Sequence, residues 1–327
     1  MESVVCTLCH QNQSSPYYLR VKEAWLGQEE FSLVKCQACG LVYTNPRPTE
    51  QEIRRYYSTE FYGRGDRRFN PLIDWLITLT RRKRAKDIMK LRRPGVLLDV
   101  GCGNGSFLVN LKEQGWTVYG TELSTYAIAR VSSEFRQHIF IGPVSEAKYP
   151  KEFFDVITLW HVFEHLPDPS NVLEELWRIL KPGGLLVISG PNLESLQAKF
   201  GQEHWFHLFV PHHYYHYSPA ILQTIVERAG FRTEKWSAFD PEQNIFGFVQ
   251  TFFNRMGLHH NLLLDRLKSK SNRDGRSTSF RVRGQIALMY SLLPAVLCIG
   301  LVFSAFGWMS NNNGTMVMYA HKEKDRS

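Results

Sequence analysis

The sequence predicts an α/β fold with a parallel sheet, preceded by a small cysteine-rich module. Strand and helix patterns alternate from Gly95 onward, in the way that a parallel sheet requires. Two C-x-x-C pairs lie close to the start of the chain. A long stretch without any charged residue, 286–309, comes late and adds an apolar element to this plan.

The composition is that of a globular protein. Apolar residues make up 43% of the 327 residues and charged residues 21%, which excludes a disordered chain. The net charge of +8 is modest, so partners depend on where the basic residues lie rather than on their number. The start "MESVVCTLCH" contains no apolar run of the signal-peptide type, and we therefore expect a cytoplasmic protein.

The four paired cysteines predict a metal site. Cys6 and Cys9 form one pair, and Cys36 and Cys39 form the other. In a reducing cytosol such pairs are typical of zinc sites rather than of disulfides, and four thiolates complete a tetrahedron with no position for water. We therefore expect a structural Zn²⁺ in a zinc ribbon that covers residues 1–45.

A helical segment, 46–94, is expected to link the ribbon to the sheet. The pattern from Pro71 to Arg93 is apolar first and basic later, which predicts a helix that covers one edge of the sheet. Its basic residues suit either a solvated helix face or a nucleic-acid patch.

Residues 95–240 supply the alternating elements of the sheet. Strand patterns are "VLLDV", "TVYGTEL", "HIFIG", "FDVITLW" and "LLVISG", followed later by "FRTEKW". Helix patterns lie between them: "SFLVNLKEQG", "STYAIARVSSEF" with Ser124 as its cap, "NVLEELWRIL" and "PAILQTIVERAG". One more strand pattern, "TMVMYAHK", lies in the last segment, 314–327.

The loop "VLLDVGCGNGSF", residues 96–107, indicates a ligand site at the end of the first of these strands. Glycines at this point let a backbone approach a ligand closely. Their spacing differs from the G-x-G-x-x-G of dinucleotide sites, and the lysine of a phosphate-binding loop is absent. Asp99 repels a phosphate but suits an ammonium group, and Glu122, at the end of the second strand, suits ribose hydroxyls. These residues favour S-adenosylmethionine (SAM) as the ligand.

The chain resembles the class I SAM-dependent methyltransferases, in the group related to ubiquinone and small-molecule methyltransferases. The resemblance rests on "LLDVGCGNGSFL", "VYGTELS", "FDVITLWHVFEHLPDP", "RILKPGGLLVISGPN" and "YHYSPAILQTIVERAGF". It implies a Rossmann-like class I methyltransferase sheet whose last two strands form an antiparallel hairpin. It also implies that Glu122 binds the ribose of SAM. The residues that it assigns to the methionine part of SAM are Asp99, Gly101, Gly103 and Gly105.

The end of the third strand departs from the pattern of this family. Many members carry an acid there for the adenine amino group, whereas this chain reads "IGPVSEAK". Glu146 is the acid in this segment, and we take it as the candidate for the adenine contact.

Two histidine-bearing segments are candidates for catalysis. A methyl acceptor must be aligned and, if it is a hydroxyl or an activated carbon, deprotonated. The segment "WHVFEHLPDP" ends the fourth strand, where the crevice of such a sheet lies. It offers His161, Glu164 and His165 as catalytic residues, although Glu164 and His165 also suit a role in bracing the loop.

The second segment, "HWFHLFVPHHYYHY" at 204–217, suits three roles. It is a candidate lid over the methyl donor, with His213 or His216 near the substrate as further catalytic residues. It also suits a metal site or plain aromatic packing, although no acid lies within it. The Asn-Pro-Pro-Tyr type of motif that serves amino groups of bases is absent, which counts against DNA methylation.

Residues 241–313 are an insertion between the last two strands of the implied sheet. The apolar run within it, 286–309, is long enough to span a bilayer, but a single span would separate the last strand from its sheet. We expect Pro294 to break the run into a re-entrant or interfacial helical pair, with the basic stretch before it at anionic headgroups. The alternative is a soluble helical cap on the domain.

These observations predict a SAM-dependent methyltransferase that acts on oxygen or carbon of a small or lipid-linked acceptor, such as a sugar or a quinone-type precursor. We expect peripheral contact with an anionic membrane at its cytoplasmic face, and we do not expect nucleic acid as a partner. Two alternatives stay open. One is an RNA methyltransferase that uses the ribbon and the basic helix, and the other is a zinc-ribbon scaffold without catalysis.

Overall fold

The computed structural model of the protein describes residues 1–24, 29–57, 69, 71–131, 133–238, 240–268 and 280–323. The chain forms two compact units. The first comprises Met1–Asp74, Pro191–Pro219 and Ala238–Met316, and the second comprises Trp75–Gly190, Ala220–Ser237 and Val317–Ser327. The cysteine-rich start and the apolar insertion therefore belong to the first unit, and the glycine loop belongs to the second.

The strands and helices are numbered in chain order within the described residues. The strands are β1 (Ser14–Lys22), β2 (Glu30–Cys36), β3 (Val42–Thr44), β4 (Val96–Val100), β5 (Thr117–Glu122), β6 (Ile139–Ile141), β7 (Phe154–Trp160), β8 (Leu180–Pro191), β9 (Tyr215–His216), β10 (Phe231–Ser237) and β11 (Thr315–Lys322). The helices are α1 (Glu50–Ile53), α2 (Pro71–Leu91), α3 (Ser106–Lys112), α4 (Thr125–Ile128), α5 (Ser133–Arg136), α6 (Pro169–Ile179), α7 (Leu196–Gly201), α8 (Pro219–Arg228), α9 (Pro241–Arg255), α10 (Leu262–Leu267) and α11 (Phe280–Met309).

The second unit contains a seven-stranded sheet in the order β10-β11-β8-β7-β4-β5-β6. β4 pairs in parallel with β5 and β7, and parallel pairing continues to β6 on one side and to β8 on the other. β10 and β11 pair antiparallel, with Phe231 opposite Lys322. This topology confirms the predicted Rossmann-like sheet with an antiparallel hairpin at its end. The strand order reverses between β4 and β7, and the carboxyl ends of such strands border the crevice in which these sheets bind ligands.

The helix predicted to precede the sheet, α2, covers part of the core of the second unit. Ala85 and Ile88 of α2 are buried in one cluster with Leu97 of β4 and Leu108 of α3. Full burial of a side chain such as leucine or isoleucine contributes about 1.5–3 kcal/mol to folding. The apolar residues of α2 therefore fix the helix against the sheet, as its sequence pattern predicts.

The helix predicted over "STYAIARVSSEF" is instead two short helices, α4 and α5. Ser124 caps the first one as predicted, because its hydroxyl accepts a hydrogen bond from the amide of Ala127 at 3.2 Å. The chain turns and bends at residues 129–131, between the two helices, so the prediction of one continuous helix is wrong.

The first unit contains a four-stranded sheet in the order β1-β2-β3-β9. Three strands come from the cysteine-rich start, and the fourth comes from the histidine-rich segment. Tyr215 and His216 of β9 pair antiparallel with Tyr43 and Val42 of β3. Sequence reasoning missed this strand, since two residues are too few to show an alternating pattern.

The apolar run forms one continuous helix, α11, so the predicted break at Pro294 and the helical pair are wrong. Proline removes one intrahelical hydrogen bond and crowds the preceding turn. However, Met289 and Val296, on either side of the proline, are buried in one cluster with Phe248 and Phe253 of α9. Tertiary packing on both sides of Pro294 therefore overrides its local effect.

α11 also exposes a large apolar surface. It is the one helix within the described ranges that is long and apolar enough to cross a bilayer, and only 17% of its most apolar window is buried. Val302 and Phe306 are 72% and 54% exposed. Three residues of the basic stretch expected at headgroups, Lys270, Arg273 and Arg276, lie outside the described residues.

Candidate functional site

The glycine loop between β4 and α3 has a backbone that only glycine adopts easily. Gly101, Gly103 and Gly105 have φ values of +71°, +58° and +71°. At Gly101 a Cβ would lie 2.5 Å from Cγ2 of Val162, whereas no atom of the described residues lies within 4 Å of a Cβ placed on Gly103. The amide of Gly101 donates to the carbonyl of Thr121 at 2.8 Å, which ties the loop to β5. The loop is therefore packed at Gly101 and open to a ligand at Gly103.

Asp99 is a buried carboxylate at the start of this loop. It is 4% exposed, and Oγ1 of Thr158 on β7 donates to its Oδ1 at 2.6 Å. Burial raises the pKa of Asp99 to about 7, and the charge of Glu122 adds to this effect. The Thr158 hydroxyl and the charge of Arg84 oppose it. A ligand that brings a positive charge would therefore stabilise the ionised form of Asp99.

Glu122 ends β5 and bridges two backbone segments. Its Oε2 accepts from the amide of Gly103 at 2.8 Å, and its Oε1 accepts from the amide of Ser124 at 2.9 Å. Burial raises the pKa of Glu122, and these backbone donors oppose that rise. Each carboxylate oxygen has a second lone pair with which to accept a hydroxyl, so the geometry suits a ribose diol.

Two arginines of α2 also face this loop, and sequence reasoning did not assign them to it. Arg81 donates from Nη1 to Oδ1 of Asn104 at 3.3 Å and to the hydroxyl of Ser106. The guanidinium carbon of Arg84 lies 4.6 Å from the ring centroid of Trp160, which ends β7. The basic run in the sequence of α2 was the signal that could have indicated these two residues. Arg81 and Arg84 belong to the run that the RNA-methyltransferase alternative uses for RNA binding, but here they contact residues at the carboxyl edge of the sheet.

The carboxyl ends of β5 and β6 expose apolar side chains. Leu123, which follows Glu122, is 70% exposed, and Ile141 at the end of β6 is 51% exposed. Exposed apolar residues beside polar site residues are typical of a surface that receives a flat ring. Glu146, the predicted adenine contact, is exposed on the 3₁₀ turn Val144–Glu146 that follows β6.

His161 and Glu164 lie together at the end of β7. His161 has a φ of +56°, and its amide donates to the carbonyl of Ser189 at 2.9 Å. Its Nδ1 lies 3.6 Å from Oε1 of Glu164, whose side chain is 2% exposed. A Cβ on Gly190 would lie 3.3 Å from Oε2 of Glu164, so glycine leaves room for this carboxylate. His165 is half-buried on the same turn, and its amide donates to the carbonyl of Val162.

The other two predicted catalytic histidines lie in the first unit. Nδ1 of His213 is 3.0 Å from the carbonyl oxygen of His207, which requires that Nδ1 carries the proton. His216 is buried in β9, and burial lowers its pKa to about 3. His216 is therefore neutral, and its position in the sheet favours packing.

The four paired cysteines converge in the first unit. Their sulfur atoms all lie within 4.8 Å of one another. Sγ of Cys6 is 3.5 Å from that of Cys39, and Sγ of Cys9 is 3.5 Å from that of Cys36. A tetrahedral zinc site with Zn–S bonds near 2.3 Å has sulfur atoms about 3.8 Å apart, so these residues fit Zn²⁺.

The two C-x-x-C turns share one backbone geometry. The amide of His10 donates to the carbonyl of Cys6 at 2.8 Å, and the amide of Gly40 donates to the carbonyl of Cys36 at 3.0 Å. His10 and Gly40 both have positive φ values, of +57° and +80°. Burial raises the pKa of the Cys6 thiol, and a bound divalent cation would offset this by favouring the thiolate.

The part of the chain that contains the glycine loop matches a known protein family. Residues 72–235, just over half of the chain, match the family described as Methyltransferase domain. The chain belongs to this methyltransferase family. The match begins in α2 and includes the glycine loop, both acids and the His161–Glu164 turn, so the predicted family is confirmed.

Curated relatives match a shorter part of the chain. The "Ubiquinone biosynthesis O-methyltransferase" of Pseudomonas fluorescens (strain SBW25) is 37% identical over 105 residues, which are 29% of this chain and 44% of that protein. The protein of the same name from Thiobacillus denitrificans is 33% identical over 157 residues, 42% of this chain and 65% of that protein. The chain thus spans less than two thirds of the length of these relatives.

Solved structures with a similar fold include two methyltransferases. A putative sarcosine dimethylglycine methyltransferase from Galdieria sulphuraria matches with a TM-score of 0.48 and 16% identity, over 82% of this chain and 97% of that one. A SAM-dependent methyltransferase from Archaeoglobus fulgidus matches with a TM-score of 0.47 and 20% identity, over 75% of this chain and 93% of that one.

Proposed function

We propose that the protein transfers the methyl group of SAM to an oxygen of a quinone-type precursor held at a membrane surface. The observation that carries the proposal is the pair of buried acids on neighbouring strands. Asp99 and Glu122 flank a glycine loop that is open at Gly103. SAM brings an ammonium and a sulfonium, which acids attract, and a ribose diol, which a carboxylate can bind by accepting hydrogen bonds.

The residues of the loop fit each polar group of SAM. The ammonium is assigned to Asp99, whose burial makes a positive partner favourable, and the ribose to Glu122. Arg81 and Arg84 supply positive charge for the carboxylate of the methionine part. The exposed side chains of Leu123 and Ile141 support a place for the adenine ring.

SAM supplies an electrophilic methyl group, whose transfer to an oxygen leaves a neutral thioether. The chain must then accept the proton of the attacking hydroxyl. We assign this to Nε2 of His161, with the carboxylate of Glu164 beside Nδ1 to stabilise the imidazolium. The separation of 3.6 Å is longer than a hydrogen bond, and such contacts commonly tighten when substrate binds. His165, on the same turn as Glu164, is a secondary candidate for substrate contact. The role expected of His213 near the substrate stays a prediction.

The names of the curated relatives support the acceptor class. Two of them are O-methyltransferases of ubiquinone biosynthesis. The exposed apolar side of α11 supports an acceptor with a lipid tail, because such a molecule partitions into a bilayer. A span is not proposed, since α9 and α11 pack on each other and connect directly to the adjacent strands β10 and β11.

Zn²⁺ is proposed as a structural ion at Cys6, Cys9, Cys36 and Cys39. Four thiolates fill the coordination sphere and leave no position for a substrate. Its contribution is to the stability of the four-stranded sheet, since β2 ends at Cys36.

The test uses calorimetry and product analysis together. The wild-type protein and Glu122→Ala are titrated with SAM, and both are then incubated with SAM and a polyprenylated catechol in detergent micelles. We expect the wild type to bind SAM and to form the O-methyl ether, detected by mass spectrometry, and the variant to do neither. Binding of SAM without methylation of the catechol would refute the proposed acceptor class. Absence of SAM binding would refute the proposal that the protein uses SAM as its methyl donor.

A further inference from the structure

A basic pocket opens in the first unit at the start of α11. Its volume is about 350 Å³. Its polar lining comes from Lys22, His259, His260, Arg281 and Gln285, with apolar atoms of neighbouring residues between them. Among the described residues that line it, none is acidic. We call this set the basic pocket.

The pocket is assembled from three separate segments. Lys22 ends β1, His259 and His260 follow α9, and Arg281 and Gln285 lie four residues apart on α11. Residues at this spacing share one face of a helix. Oε1 of Gln285 accepts from the amide of His259 at 3.1 Å, which fixes the loop to the helix. The cationic groups are therefore brought together by tertiary structure and not by a run of charges.

Lys22 and Arg281 supply the positive charge of the pocket. Lys22 lies opposite Glu30 in the β1–β2 ladder. The main hydrogen-bond donor to that carboxyl is Nε of Arg20 at 2.7 Å, which lowers its pKa, and Lys22 helps to lower it further. His260 is kept neutral by burial, which lowers its pKa to about 4. Two permanent cations, Lys22 and Arg281, thus line the pocket, and neutral imidazole and amide groups beside them add hydrogen-bonding capacity.

An exposed apolar row on α11 begins at the pocket. An α-helix turns 100° per residue, so Leu288, Ile299 and Phe306 lie within about 20° of the position of Arg281 around the axis. These side chains are 46%, 51% and 54% exposed. A molecule with an anionic head at Arg281 would therefore find an apolar surface along the same side of the helix.

We propose that the basic pocket binds the phosphate of an anionic phospholipid, whose acyl chains contact the exposed row of α11. This inference rests on the proposed membrane contact and gives it a specific headgroup site. A phosphate complements the two cations of the pocket, Lys22 and Arg281, and only a lipid phosphate also uses the apolar row. A soluble phosphate would leave that row exposed.

Arg283 provides a matched control. It lies on the same helix, two residues from Arg281, and is exposed, but it does not line the pocket. Diffuse attraction to a negative surface depends on each arginine alike, with about a fivefold loss of binding per charge removed. A pocket that grips one phosphate depends on Lys22 and Arg281 together, and not on Arg283.

The experiment measures flotation with vesicles of phosphatidylcholine, with and without phosphatidylglycerol. The proteins are wild type, Lys22→Gln, Arg281→Gln, their double variant and Arg283→Gln. We expect each pocket variant to lose about tenfold or more of the preference for phosphatidylglycerol, the double variant to lose little more than either, and Arg283→Gln to lose less than about fivefold.

Three outcomes would refute the proposal that the basic pocket binds a phospholipid headgroup. Equal, additive losses in all variants would mean diffuse attraction. A wild type without preference for phosphatidylglycerol would mean no headgroup site. Calorimetric binding of inorganic phosphate that Arg281→Gln abolishes, with vesicle binding unchanged, would mean a soluble anion.

Val302→Asp, on the exposed side of α11, separates this inference from the proposed membrane contact. We expect it to reduce binding to both kinds of vesicle. If it has no effect, the membrane contact itself is wrong.

Discussion

Oγ1 of Thr158 donates a hydrogen bond to Oδ1 of Asp99 across the β4–β7 pair, at 2.6 Å. The bond holds a buried carboxylate in place at the mouth of the glycine loop. Burial raises the pKa of Asp99 to about 7, so the group is half-protonated near neutral pH before any ligand binds. The cofactor ammonium then determines whether the acid is charged.

This state predicts a pH-dependent affinity. The folded pKa lies above the usual value of 3.8, so Asp99 is protonated as pH falls below about 7 and loses its attraction for an ammonium. We expect the Kd of S-adenosylhomocysteine, which carries the same ammonium, to rise below pH 7 by up to about tenfold per pH unit. Calorimetry between pH 6 and pH 8 measures this. Asp99→Asn should remove the dependence, and a wild-type Kd that is flat across the range contradicts the assignment.

A second prediction concerns Glu122. Gln at this position keeps the shape but presents an amide NH₂ to one of the two backbone donors, Gly103 or Ser124. Loss of charge-assisted hydrogen bonds of this kind costs about 1.5–3 kcal/mol, so SAM should bind roughly 10-fold to 150-fold more weakly. Glu113→Gln, at an exposed helix end, is the control and should bind as wild type does. Similar affinities for both variants would exclude Glu122 from the ribose site.

The catalytic assignment predicts a separation of binding from turnover. His161→Asn should lower kcat by about 10²-fold to 10⁴-fold with the Kd of SAM unchanged, because it removes a general base. Glu164→Gln should cause a smaller loss, since it leaves the base but removes the buried charge beside Nδ1. Steady-state kinetics with SAM and the unmethylated acceptor that the wild type converts measures both. If His161→Asn keeps kcat within about threefold, another group accepts the proton.

The zinc site predicts a dependence of stability on metal. The purified protein should contain one Zn²⁺ per chain by plasma emission, and Cys36→Ser should lose it together with the stability of the four-stranded sheet, because structural zinc sites add folding free energy directly. The control is Cys298→Ser, since Cys298 is exposed on α11, away from the paired cysteines in the sequence. SAM should still bind after chelation, because its proposed ligands all lie in the second unit. A metal-free protein with an unchanged melting temperature contradicts a structural ion.

Much of the fold follows from local patterns in the sequence. "FDVITLW" and "TMVMYAHK" coincide with β7 and β11, because buried strands need continuous apolar residues of this length. The place of Asp99 and Glu122 at the candidate site could be predicted for a related reason. Acids that follow buried strands in a parallel sheet come to the same edge, so their proximity follows from topology.

What the sequence did not predict depends on tertiary contacts. The register of α2 that turns Arg81 and Arg84 to the loop follows from how Ala85 and Ile88 pack, and the sequence pattern does not specify it. The continuity of α11 through Pro294 likewise depends on α9. The sequence does not predict the basic pocket, because Lys22 and Arg281 are far apart in the chain.

Transfer of label from methyl-labelled SAM shows whether the protein methylates a membrane-held acceptor. The wild type and Glu122→Ala are incubated with the membrane and soluble fractions of a host lysate, and label is counted in the organic extract, in polar solutes and in RNA. We expect label in the organic extract of membranes with the wild type and none with Glu122→Ala. Label in RNA or in polar solutes alone, or equal label with both proteins, would contradict it.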